Sequence, residues 1–264
     1  MSIKREKEDM ADDNIARRIA TALLIVLFSG ITVFVLPNWF FCLVTTLFIG
    51  LALYEFFSIV ENKGLFVYKY FGITAGTLIP VGICLHLGEG YANLEPVFIV
   101  LACLCTFVLQ FARRDGAKDH LVSAAITLFA LFYISWFFSF FIKIKYLPDG
   151  AKLVAFLILV TKMNDVGAYF IGRKFGKNLL IKRISPRKTR EGALGGLVFG
   201  VLSAVVCKFF LIDLSVGHLI FLGILLGITG QMGDLAESLF KRDFDVKDAS
   251  GILPGLGGML DVID

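Results

Sequence analysis

A chain of 264 residues that is 57% hydrophobic, with 27 phenylalanines and a formal charge of +4, lies well above the roughly 45–50% apolar share of soluble domains. Its apolar stretches are hydrophobic all round and about 20 residues long, the length that crosses a bilayer, whereas one large soluble core would show amphipathic periodicity. The composition excludes a soluble globular enzyme and predicts an all-α integral membrane protein, a polytopic bundle of transmembrane helices.

Residues 1–15 are charged and polar and read as a cytoplasmic tail. Eight stretches are apolar enough to span: 16–36, 40–60, 71–88, 95–112, 120–142, 152–172, 192–212 and 217–233. The first follows Arg17 and Arg18 without a small-residue cleavage site, so it reads as a span and not a removable signal peptide. Turn and charge signals separate the stretches, among them Pro37-Asn38, Asn62–Gly64, Gly88–Gly90 and Pro148–Gly150. Lys and Arg accumulate in alternate loops, and the connections 37–39, 89–94 and 213–216 contain neither. The positive-inside rule then puts both ends of the chain and the basic 173–191 loop in the cytoplasm. Only 143–152, with Lys143, Lys145 and Lys152, breaks the alternation. On this reading residues 16–150 are N-terminal transmembrane helices and 151–264 a C-terminal transmembrane region that carries the basic loop 173–191 and the charged segment 234–264. The five cysteines lie inside apolar stretches without zinc-site or disulfide spacing and read as small hydrophobes.

Polar residues that could carry chemistry concentrate in the second half. In the sixth span Lys162, Asn164 and Asp165 interrupt an apolar helix, and an intramembrane ionisable group costs several kcal/mol unless paired or wetted. The alternative is a local Lys162–Asp165 pair at i,i+3. The next loop carries Arg173, Lys174, Lys177, Lys182, Arg183, Arg187, Lys188 and Arg190 against Glu191 alone. Any cytoplasmic loop is basic, but Ser185–Thr189, SPRKT, is expected to form a proline-fixed turn that sets hydroxyls beside cations, a grouping suited to phosphate oxygens. After the eighth span Asp234, Glu237 and Lys241 fall at i, i+3 and i+7, one face of a continuing helix, with Ser238 alongside. The end of the chain combines Pro254, Gly255, Gly257 and Gly258 with Asp261 and Asp264. Its glycine run has neither Walker nor dinucleotide-binding spacing. Carboxylates clustered among cations suit a hard divalent ion held together with substrate phosphates, as Mg²⁺ usually is.

Together NDVGAYFIGRKFGK, SPRKTREG, GDLAESLFKRDFDVKD and ILPGLGGMLDVID closely resemble the phosphatidate cytidylyltransferases, the CDP-diacylglycerol synthases, from about residue 160 onward. The tail resembles the family signature, roughly S-x-x-K-R, four residues, K-D, then P-G-H-G-G and D-R-x-D. Ser238, Lys241, Arg242, Lys247, Asp248, Pro254, Gly255, Gly257, Gly258, Asp261 and Asp264 fill it in register. Leu256 stands where the family has His, and Val262 where it has Arg.

The resemblance implies transfer from CTP to phosphatidate, giving CDP-diacylglycerol and pyrophosphate, with Mg²⁺ as cofactor and room for a second cation. Asp234 and Asp261 would be Mg²⁺ ligands, with Asp165 and Glu237 as supporting carboxylates. Lys188, Arg187, Lys241 and Arg242 would hold substrate phosphates, with Ser185, Ser238, Asn164, Lys247 and Asp248 in the substrate site. The expected partners are CTP, phosphatidate and the lipid bilayer, not nucleic acid, and a homodimer is compatible with the resemblance. The expected location is a bacterial-type inner (plasma) membrane with the active site in the cytoplasm. The family also implies one more helix after the signature, so the chain as given is expected to stop early, with Asp264 an artificial end. Two other classes stay open: a transporter or channel, in which Asp165 would lie on an ion path and the basic loop would merely set topology, and for which Glu55 in the second span also speaks although its YEFF context also resembles the family, and a catalytically silent lipid-binding relative.

Overall fold

A computed structural model describes residues 21, 23–113, 119–211, 213–246, 249–250 and 257–263. The expectations for the N-terminal tail and for Lys247, Asp248, Pro254, Gly255, Leu256 and Asp264 fall outside these residues. The chain is helical: α1 (Leu23–Phe34), α2 (Asn38–Asn62), α3 (Lys69–Glu89), α4 (Glu95–Ala112), α5 (His120–Ala130) and α6 (Phe137–Lys145), then α7 (Gly150–Phe175), α8 (Arg190–Val206), α9 (Val216–Asp243) and a short α10 (Met259–Ile263). Among the described residues seven helical stretches are long and apolar enough to cross a membrane, and α1 is a shorter apolar helix within the first expected span. The protein is an all-α integral membrane protein, as its composition requires.

The chain divides into two compact units, Met1–Leu147 with Asp248–Ile263, and Pro148–Lys247. In the first unit α2 is the core helix: Ile49, Ala52, Leu53, Phe56, Phe57 and Val60 are all but inaccessible. The outer positions of α4, among them Val97, Val100, Leu104 and Phe111, stay exposed and apolar, the signature of a lipid-facing surface and not of a missing core. A π-helical turn, Leu131–Trp136, joins α5 to α6 without breaking the span His120–Lys145. Buried Ser135 within it donates to the Gly76 carbonyl of α3. The two lysines of the anomalous connection that belong to this unit find acceptors on other helices and segments of the same unit. Lys143 Nζ pairs with Glu95 Oε1 at 2.6 Å, and buried Lys145 donates to the Val33 carbonyl.

In the second unit Lys152 pairs with Asp149 at 2.8 Å, so each of the three lysines that interrupt the loop alternation has a nearby acceptor. The unit is built on α7, α8 and α9, around Phe156, Val160, Ala204, Cys207, Leu211 and Leu219. Helices α7 and α8 approach closely because small residues face each other. A Cβ on Gly196 would fall 2.3 Å from Asn164 Oδ1, and one on Gly167 would fall 2.5 Å from Phe199 Cβ. Lipid tails are as apolar as leucine, so such a pair is held by close backbone packing and interhelical hydrogen bonds. Between α7 and α8 runs an antiparallel hairpin of β1 (Leu179–Ile181) and β2 (Ser185–Thr189), with Leu179 opposite Thr189 and Ile181 opposite Ser185. SPRKT is therefore a strand and not the expected turn, which falls at 182–184. A proline is tolerated there because a two-stranded ribbon has an open edge that asks for no donor.

Candidate active site

Asp234 is reached by counting along α9. The helix has 28 residues, about 42 Å at 1.5 Å per residue, against a hydrocarbon core of about 30 Å. About 20 residues are enough to cross that core, which counted from Val216 ends at Leu235, so Asp234 falls at the end of the crossing length and Glu237 and Lys241 lie beyond it. The helix does continue through the charged segment, with Lys241 and Arg242 in its last turn, where cations favour the dipole.

On this extension Lys241 Nζ meets Glu237 Oε1 at 3.0 Å, the glutamate being 4% exposed. One turn earlier, the partly exposed Asp234 carboxylate contacts Lys188 Nζ from β2 directly. The strand thus delivers a cation to the acidic helix end, with Ser185 partly buried and Arg187 exposed on the same strand. The hairpin that does this is secured at both ends. Thr189 Oγ1 caps α8 by accepting from the Gly192 amide at 3.1 Å, the usual role of a threonine at a helix start. Glu191 accepts from the amides of Lys177 and Asn178 at 3.1 and 3.2 Å and from Asn178 Nδ2 at 2.7 Å. The one acid of the basic loop is therefore engaged by backbone and Asn178 donors, which also hold it ionised.

Within α7, Lys162 Nζ and Asp165 Oδ2 are 3.7 Å apart, both side chains about half exposed, so the i,i+3 pair forms. Asn164 points the other way. It is 2% exposed, donates from Nδ2 to the Gly227 carbonyl at 2.8 Å and accepts from Gln231 Nε2 at 2.9 Å. Gln231 also donates to the Ala193 carbonyl at 2.8 Å. Asn164 and Gln231 therefore knot α7, α8 and α9 together just below the charged end of α9. Gln231 was missed in the sequence, although a glutamine inside GITGQMGD is itself a polar interruption of an apolar span.

In the first unit the described part of the signature is folded around two carboxylates. Asp261 Oδ2 accepts from the Gly258 amide at 2.7 Å and the Ala249 amide at 2.9 Å. Gly257 has φ +97°, and a Cβ there would fall 2.5 Å from Asp261 Oδ2, so both backbone conformation and space call for glycine. Val262, where the family has Arg, is partly buried. Glu55 of α2, 2% exposed, accepts from the amides of Met259 and Leu260, each at 2.8 Å, and from Ser250 Oγ at 2.5 Å.

One unit carries a basic strand on an acidic helix end and the other a segment whose backbone amides meet an aspartate, both of which the resemblance calls for, and the sequence pattern of the Cytidylyltransferase family matches residues 16–264. The chain belongs to the cytidylyltransferase family. Among its relatives, the phosphatidate cytidylyltransferase of Staphylococcus haemolyticus (strain JCSC1435) is 34% identical over 192 residues, 72% of this chain and 72% of the relative. That of Bacillus subtilis (strain 168) is 34% identical over 189 residues, 71% and 69% of the two chains. That of Staphylococcus aureus (strain COL) is 36% identical over 166 residues, 62% and 63%.

For a family that handles a nucleoside triphosphate, the metal question turns on the donors. Among the described residues no group of three or more His, Cys, Asp or Glu is spaced to hold a metal by itself. Three of the expected carboxylates instead lie beside ammonium groups, Asp234 with Lys188, Glu237 with Lys241 and Asp165 with Lys162, and Asp261 lies on backbone amides. Hard oxygen donors of this kind, one or two at a time and close to cations, fit Mg²⁺ completed by phosphate oxygens and water, and do not fit a closed protein cage.

Proposed function

We propose that this protein transfers the cytidylyl group of CTP to phosphatidate, forming CDP-diacylglycerol and pyrophosphate at the cytoplasmic face of a bacterial-type inner membrane. The observation that carries the reading is the Lys188–Asp234 contact in a chain of the cytidylyltransferase family. It sets a phosphate-binding cation and a metal-binding carboxylate side by side, at the end of a helix that overruns the bilayer.

The chemistry sets the demands. A phosphate monoester oxygen attacks the α-phosphorus of CTP, the new P–O bond forms, and the bond to the β,γ-pyrophosphate breaks. The nucleophile needs little deprotonation, since the second pKa of a phosphate monoester is about 6. The difficulty is bringing two polyanions together and stabilising the charge that develops on the leaving group. Lys188, Arg187, Lys241 and Arg242 hold and orient the phosphates, and Ser185 and Ser238 donate hydroxyl hydrogen bonds to them. By the resemblance Asp234 and, in the other unit, Asp261 would be the carboxylate ligands for Mg²⁺, with Asp165 and Glu237 in support; Asp261 Oδ2 accepts from the amides of Ala249 and Gly258. The ion supplies charge neutralisation at the triphosphate. Asn164 serves by fixing α7 against α9 beneath the charged helix end. Positioning reactants in this way is the larger part of what such an enzyme contributes. The acyl chains remain in the bilayer, so the lipid is not extracted.

Transport is less well supported, because Asp165, the residue it would set on an ion path, pairs with Lys162 and Glu55 makes backbone and hydroxyl hydrogen bonds to one segment. The test uses purified protein in detergent with phosphatidate, CTP and Mg²⁺. Pyrophosphate release that requires phosphatidate, and that Asp234→Asn abolishes without loss of folded protein, is the expected result. Release that proceeds equally without the lipid, or that survives the substitution, refutes the proposal.

A further inference from the structure

We propose that Glu55 is a positioning residue for the C-terminal signature segment, an inference that rests on the cytidylyltransferase reading of that segment. An ionisable group inside an apolar span ordinarily marks an ion path or a proton relay. Glu55 is at the centre of neither. One oxygen accepts from Ser250 Oγ and the Met259 amide and the other from the Leu260 amide, donors separated from it by 195 to 205 residues of chain. Both amides belong to the first turn of α10, where N–H groups have no partner within the helix. A buried carboxylate is well matched to two such donors, because hydrogen bonds to an ionised acceptor are the stronger kind.

The same short helix carries Asp261. Holding Met259 and Leu260 therefore fixes where the Asp261 carboxylate can point, and Asp261 in turn gathers Ala249 and Gly258. Glu55 and Asp261 close the segment from two sides, Glu55 through Ser250 and α10, Asp261 through the residues just before each. Gly258 lies at the junction. A Cβ there would fall 2.5 Å from Glu55 Oε2, so the close approach of carboxylate to backbone is available only to glycine. Glu55 touches no reacting group; it acts through the placement of Asp261.

Outer residues that orient a metal ligand typically account for about 10- to 100-fold in metal affinity or activity. The experiment compares wild type, Glu55→Ala, Glu55→Gln and Ser250→Ala, all full-length and purified in detergent. It measures amide hydrogen exchange over residues 249–263, kcat, and the Mg²⁺ concentration for half-maximal CDP-diacylglycerol synthesis. Glu55→Ala is expected to speed exchange at Met259 and Leu260 by at least about tenfold, to lower kcat by about 10- to 100-fold, and to raise the Mg²⁺ requirement about tenfold. Glu55→Gln, which keeps one acceptor oxygen, is expected to recover part of each. A purely structural role would lower the amount of folded enzyme and leave the Mg²⁺ requirement of the survivors unchanged, and that result overturns the inference. So does unchanged exchange in folded Glu55→Ala protein. If Glu55→Ala does not fold, Ser250→Ala carries the test: faster exchange with a raised Mg²⁺ requirement supports the tie, and no change in either refutes it. A wild-type protein that makes no CDP-diacylglycerol overturns the enzymatic reading itself, and the exchange comparison alone then decides the Glu55 tie.

Discussion

Replacing Asn164 separates a tie between helices from a contact with substrate. Asn164→Ala removes the bond to the Gly227 carbonyl and the bond from Gln231, while Gln231 keeps its second acceptor at Ala193. Hydrogen bonds between transmembrane helices are worth about 0.6 kcal/mol on average and up to about 1.7. Two of them, with the packing lost around a residue that is 2% exposed, come to about 2–3 kcal/mol. At about 2–4 °C per kcal/mol for a chain of this size, the melting temperature in detergent should fall by about 5–10 °C. The KM for CTP in the surviving enzyme should change less than twofold. Asn164→Asp sharpens the comparison. It keeps an acceptor for Gln231 but sets a second oxygen against the Gly227 carbonyl, so it should cost more than the alanine, as uncompensated buried charges do. A melting temperature within about 1 °C of wild type together with a tenfold rise in the KM for CTP would refute the reasoning and return Asn164 to the substrate site.

Lys188→Ala should behave oppositely. Its pair with Asp234 is partly exposed and worth at most about 1 kcal/mol, so the melting temperature should move by no more than a few degrees, while kcat/KM falls by about 10²- to 10³-fold; a drop below threefold contradicts the assignment. Lys241→Met takes the ammonium from beside a glutamate whose side chain is 5% exposed and should destabilise by about 3–5 kcal/mol, with Glu237→Gln in the same protein restoring part of the thermal stability but not the activity. Gly196→Ala forces a Cβ to within 2.3 Å of Asn164 Oδ1 and should lower stability by about 1–3 kcal/mol, read as a lower melting temperature; a more stable Gly196→Ala protein would refute the close α7–α8 packing.

The parts legible in the sequence are those governed by local chemistry. Span existence follows from apolar length, and the continuation of α9 through Asp234, Glu237 and Lys241 follows from their spacing on one helical face. The Lys162–Asp165 pair is equally local. What escaped depends on distant partners. Nothing in YEFF reveals that Glu55 will meet Met259 and Leu260, some 200 residues later. Nothing near Lys145 indicates the Val33 carbonyl as its acceptor, so the lysines of 143–152 looked like a fault in the topology. Asn164 and Asp165 are adjacent and were read together, yet a helix turns about 100° between them, burying one and exposing the other. SPRKT suggests a turn through its proline, because a five-residue strand in a basic hairpin has no alternation of apolar and polar residues to announce it.

The central claim is that the bond broken in CTP lies between its α- and β-phosphorus and that the cytidylyl group goes to the lipid. The most direct measurement supplies purified protein and phosphatidate, in parallel, with CTP labelled at the α- or at the γ-phosphorus. The account predicts that α-label enters the lipid fraction while γ-label leaves as pyrophosphate, in equal molar amounts. Label in the lipid from γ-labelled CTP, or none from either nucleotide across a range of divalent ions, would contradict it.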